Sequence, residues 1–212
     1  MNILEKYERP FEYIGAFMNL MLAYQFFNLW YKPTVNDVFK INDFAILMAF
    51  EFVMVHSGVF MSVFPKKISL FVFVPLYGLF AWAMNASVSD NSILIIYGVV
   101  VFNRMRFAFS DVSKAIRNRN ILFSVLAVAI YFFLVLGFTI LNEKVPRLGL
   151  TENFLTKINY FDTINASGLF VEKPHVPLAL GTVYYIFLCL LEIKLKGNSN
   201  NYNDSYKHVQ SN

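Results

Sequence analysis

Six stretches of about 20 residues run through this chain almost without charge, and they limit its folds more than any other feature. A helix needs about 20 mainly apolar residues to cross roughly 30 Å of hydrocarbon. The stretches are 11–30, 44–64, 68–88, 92–110, 121–141 and 176–193. Enclosing six such helices in a soluble fold would take a far larger protein. Composition agrees: 57% of the 212 residues are hydrophobic and 15% charged, against about 45–50% and 25% in soluble domains. The sequence therefore predicts an all-α, polytopic transmembrane helix bundle of about six spans with short interfacial helices. One membrane domain covers 1–196, and the tail from 197 to 212, rich in Asn and Ser, is expected to be disordered.

The second, third and fifth stretches are the cleanest. The first carries Asn19, Gln25 and Asn28, and ends at Trp30 and Tyr31, which suit a membrane interface. Pro75 and Gly78 interrupt the third and predict a kink. The fourth loses its apolar character after Phe102. Leu4, Tyr7 and Phe11 recur at helical spacing, as in a short helix lying on the membrane surface. In the long loop over 142–175, Thr151 is a candidate N-cap. Phe154, Ile158 and Phe161 share one face there, predicting a helix that rests on the membrane surface or lids the bundle. The N-terminal segment is too polar and acidic for a signal peptide, so the first stretch is expected to be retained.

Lys and Arg concentrate on cytoplasmic loops. With the N-terminus inside, 12 basic residues fall on inner segments and 6 on outer ones, and four of those six lie in the one long loop. Both termini are therefore expected in the cytoplasm, in a bacterial cytoplasmic membrane. The same argument accounts for the net charge of +4; basic runs placed between spans argue against nucleic-acid binding. Cys189 is the single cysteine, so no internal disulfide forms.

Glu51 is the most informative residue. It stands eight positions into the second stretch, between Phe50 and Phe52. An isolated charge at that depth costs at least about 2.5–3.5 kcal/mol, so its retention calls for a reason. One is proton or cation handling, or acid–base catalysis; the other is a hydrogen-bonded contact between helices. His56 follows five residues later, about 140° around the helix and about 7.5 Å along it. The two do not share a face, which argues against a metal site built from this pair. Depth matching sets Glu51 level with Ala81 of the third stretch, one turn from Asn85, and puts Asn103 and Arg104 in the layer of His56. Arg106 is expected to reach lipid phosphate. Glu51, His56, Asn85, Asn103 and Arg104 are the candidate functional residues. Asn165 heads a short glycosylation pattern that arises readily by chance.

No phosphate loop, zinc motif, nucleophile elbow or haem signature occurs, and no metal or cofactor is expected. Three functions suit such a chain. A small-solute, ion or proton pathway through Glu51 and His56 comes first, because two charged clusters at different depths favour an internal pathway or site over scaffolding. The paucity of polar groups argues against a carrier of hydrophilic solutes. A membrane enzyme acting on a lipid or lipid-linked substrate, with Arg104 meeting a phosphate, is the second. The third is an accessory or assembly subunit whose polar groups grip partner helices. The expected surroundings are the lipid bilayer and either further copies of the chain or other subunits of a membrane complex.

Overall fold

A computed structural model describes residues 8–86, 88, 91, 94, 95, 98, 114–164 and 167–210. Among them every regular element is helical and no strand occurs. Helix α1 spans Glu8–Tyr31. Helix α2 spans Val38–Val63. Ahead of it, the Thr34 amide and hydroxyl both donate to Asp37 Oδ2, at 2.8 and 2.6 Å, closing the turn from α1. Burial pushes the Asp37 carboxyl up, but the Thr34 donors and Lys40 outweigh it and hold the group below its ordinary value.

Pro65 ends α2. The chain then runs through a short turn, α3 (Lys66–Ile68), a π-helical turn at Ser69–Phe73, and α4 (Val74–Asn85). The π turn lies directly ahead of Pro75, whose ring would otherwise meet the carbonyl four residues back. The predicted irregularity at Pro75 is therefore a local widening of the helix. Helix α5 covers Lys114–Ile140, and α9 covers His175–Gln210.

Two helices are long and apolar enough to cross a membrane: Asn118–Ile140 of α5 and His175–Leu195 of α9. Ser69–Asn85 is apolar but shorter. The count among described residues is thus two where the sequence predicts six, and most of 92–110 lies outside them. The tail differs as well. Residues 197–210, predicted to be disordered, continue α9 as helix. Extending a helix already nucleated by its packed first turns fixes one residue at a time, which is far easier than starting one.

Among the described residues, helix α9 packs along α1 more extensively than any other pair, and α5 lies against α2 and α9. The α1–α9 pair is antiparallel: Asn19 meets Glu192 at one end, and Phe26 stacks 5.5 Å from Tyr185 further along. Gly181 sets the distance between them. A Cβ there would lie 2.4 Å from the Phe26 ring, and Phe26 is fully buried with no room to yield. Gly181→Ala is therefore expected to destabilise the protein by about 1–3 kcal/mol through overpacking. Denaturant unfolding in detergent micelles measures this.

The loop before α9 folds back as a lid. It contains α6 (Glu152–Lys157), α7 (Tyr160–Thr163) and α8 (Leu169–Glu172). Thr151 Oγ1 accepts from the Phe154 amide at 3.3 Å, so the predicted cap is present. The predicted single helix is not. Asn159 adopts a left-handed backbone (φ 50°), which Asn tolerates better than most residues, and divides it in two. The break turns Leu155, Ile158 and Tyr160 inward and leaves Phe161 exposed. The lid is tied to α1 by Trp30 Nε1 donating to the Pro146 carbonyl at 2.8 Å, and by the Gly149 amide donating to the Trp30 carbonyl at 3.1 Å.

Lys173 closes the other side of the lid, donating to Asn142 Oδ1 at 2.7 Å and pairing with Glu143. The Lys173 ammonium holds the Glu143 carboxyl below its ordinary range. A lowered carboxyl pKa means that the folded state prefers the ionised form. The tie is accordingly present above the ordinary value of 4.5 and lost as pH falls through the lowered one. Hydrogen exchange over 142–173 is expected to quicken in that acid window, and Lys173→Met to remove the pH dependence.

Candidate functional site

Glu51 stands near the middle of α2, where three helices meet, and is 7% exposed. The Tyr184 hydroxyl of α9 donates to Glu51 Oε1 at 2.8 Å, and the Tyr185 hydroxyl donates to Oε2 at 3.2 Å. Each carboxyl oxygen therefore accepts from one phenol. Consecutive residues on a helix point about 100° apart, so the two rings reach Glu51 from either side. Helix α5 adds Tyr131, whose hydroxyl donates to the Met48 carbonyl, one turn before Glu51, at 2.7 Å. The Tyr131 ring meets that of Tyr184 edge-on, 5.4 Å between centroids, and Tyr184 meets Tyr185 in the same manner at 5.1 Å. All three tyrosines are buried. The result is a carboxyl group held by hydroxyl donors and walled by aromatic rings.

The other predicted residues do not join it. His56 Nδ1 lies 2.6 Å from the Phe52 carbonyl of its own helix. A carbonyl only accepts, so Nδ1 carries the proton there. The imidazole also rests against Phe52, at 4.5 Å between ring centroids. His56 thus bonds within its own helix. Asn85, set near Glu51 by depth matching, instead organises the turn after α4: it donates to Asn91 Oδ1 at 3.2 Å and accepts from the Leu94 amide at 3.3 Å. An amide at a helix end satisfies the exposed backbone beside it more readily than a group on the next helix. Asn103, Arg104 and Arg106 lie outside the described residues, as does Asn165.

Sequence reading missed the tyrosines, because an aromatic pair in an apolar stretch reads as packing. The available signal was depth. A phenol in mid-membrane has a hydroxyl that needs a partner, and Tyr184-Tyr185 is an adjacent pair at such a depth. It also missed Glu192, whose Oε2 accepts from Asn19 Nδ2 at 3.2 Å. Among the described residues no three His, Cys, Asp or Glu side chains gather as a metal site would require.

Comparison of the chain with protein-family models, with curated proteins and with solved structures found no match. What the fold and the site define is a class: an all-helical protein with, among the described residues, two helices fit to cross a membrane and a buried glutamate bound to hydroxyls of one of them.

Proposed function

We propose that the protein is a multi-pass membrane protein with both termini cytoplasmic, and that Glu51 is a proton-binding site on a pathway for protons or small ions. The membrane part of this reading is supported by the surface of α5. Only 11% of its apolar window is buried, and Phe132 and Phe133 are 58% and 68% exposed. A core helix of a soluble protein passes the same length and composition test by being mostly buried; this one needs an apolar solvent outside. Helices α1 and α2, at 24 and 26 residues, also have the length to cross.

The single observation that carries the site reading is that both carboxyl oxygens of Glu51 accept from buried phenols. An ionised Glu51 accepts from both tyrosines. A protonated one has an O–H of its own to donate, so one tyrosine must turn its hydroxyl and accept. Phenols serve in either role, and the site can hold a proton or release it without moving a helix. Reconstituted protein in liposomes carrying a pH-sensitive dye tests this. The wild type is expected to dissipate a pH step, and Glu51→Gln to reduce that flux to the protein-free rate. Equal flux from the variant refutes the assignment.

A second reading has its own support. The same two hydrogen bonds join α2 to α9, as a polar clasp in an assembly subunit would. Glu51→Gln separates the two, since the amide keeps an acceptor for a clasp and cannot bind a proton. The enzyme reading has less behind it, because His56 and Asn85 serve their own segments.

A further inference from the structure

A further, half-buried acid lies on the helix that carries both tyrosines. Glu192 belongs to the Tyr184–Tyr185 helix and falls three residues before the end of the apolar span His175–Leu195. Its carboxyl occupies a notch in α1. Gly15 has no side chain opposite it: a Cβ there would come within 2.3 Å of Glu192 Oε1. One turn further along the same face, Asn19, itself 6% exposed, donates to Oε2. Any side chain at 15 would expel this carboxyl, and a leucine at 192 would suit the α1–α9 contact without the cost of a membrane charge. Tyr185 precedes Glu192 by seven residues, which sets the two within about 20° on α9 and about 10 Å apart along it. One face of one helix thus bears, in order toward its C-terminal end, the hydroxyl bound to Glu51, then Cys189, then Glu192.

We propose that Glu192 is a second proton-binding site, loaded from the cytoplasmic end of α9 and in exchange with Glu51. This rests on the proton-handling reading of Glu51. Among the described contacts, Glu192 meets Asn19 and Gly15 of α1, neither titratable, and Cys189 lies one turn before it on its own helix. Beyond them come Tyr185 and Tyr184 and, through those hydroxyls, Glu51 of α2. The steps balance as simple transfers. A hydronium ion in cytoplasmic water gives its proton to the Glu192 carboxylate. Glu192 passes a proton on through water to Tyr185, while the Tyr185 hydroxyl proton moves to Glu51 Oε2. Asn19 holds the Glu192 carboxyl in place and is a positioning residue.

The test uses full-length protein in the same liposomes, with infrared titration of the protonated-carboxyl C=O stretch on the same samples. Glu192→Gln keeps an acceptor for Asn19, so the α1–α9 contact survives. It is expected to slow flux by on the order of tenfold or more and to remove one titrating carboxyl band. Gly15→Ala, which pushes the carboxyl out of its notch, is expected to slow flux similarly, and Asn19→Leu to shift the midpoint of that band. Wild-type flux and an unchanged set of bands in Glu192→Gln overturn the proposal and leave Glu192 as a helix contact. If that result accompanies a dead Glu51→Gln, only the second site falls. If the wild type itself carries no flux above protein-free vesicles, the reading of Glu51 falls and this one with it.

Discussion

Phe133→Asp is expected to remove the protein from the membrane fraction. Phe133 is 68% exposed, in the middle of the α5 span. On a water-facing surface such a substitution changes stability by no more than about 0.5 kcal/mol. Facing hydrocarbon at mid-depth, an aspartate costs about 2.5–3.5 kcal/mol. Its side chain is too short to carry the charge to the interface, as lysine and arginine do. The two solvents therefore predict outcomes that differ by about 2–3 kcal/mol, a large fraction of the stability of a small domain. The measurement is the yield of carbonate-resistant, detergent-extractable protein, with Phe133→Leu as the control. A Phe133→Asp protein that expresses and folds like the control would remove the bilayer from the account of this chain.

The second large effect is expected at Glu51. Glu51→Ala takes the acceptor from two buried hydroxyls, at about 1–3 kcal/mol each where a group is left unsatisfied, and opens a cavity between α2 and α9. A loss of about 2–4 kcal/mol in detergent unfolding is expected. Glu51→Gln keeps a carbonyl acceptor and is expected to lose no more than about 1 kcal/mol. Flux runs differently: both variants are inactive, because neither side chain binds a proton. If the two lost stability equally, the hydroxyl contacts at 2.8 and 3.2 Å would not be holding the helices. If Glu51→Gln stayed stable and active, the carboxyl would be only a clasp.

Much of the helical character was legible in the sequence, and the reason is local. Apolar stretches long enough to satisfy their own backbone inside hydrocarbon form helices whatever surrounds them. Thr151 announced a cap and Pro75 an irregularity, because both act within one turn of the chain. The division of the lid at Asn159 was not legible. Whether an Asn adopts a left-handed backbone depends on what the following residues gain by turning inward, here Tyr160, which is fully buried.

Depth pairing between helices succeeded less well than reading along them. It set Asn85 near Glu51 by height, yet height says nothing of rotation about the axis or of competing local partners. Asn85 found Asn91 and the Leu94 amide within its own turn. For His56 periodicity gave the angular offset from Glu51, a property of one helix alone, but its bond to the Phe52 carbonyl was visible only in the structure.

The sequence by itself determined that Glu51 would be buried and would need partners, since neither hydrocarbon nor a packed core leaves a carboxyl unattended. Which groups answered it was decided by tertiary structure. Tyr184 and Tyr185 lie more than 130 residues away, and nothing local marks a tyrosine as a donor to a distant acid. Gly15 and Gly181 let α9 lie close along α1, and that approach fixes the face of α9 that meets both Asn19 and Glu51. Helices form from neighbours in sequence; sites form where helices are close enough to share a hydrogen bond.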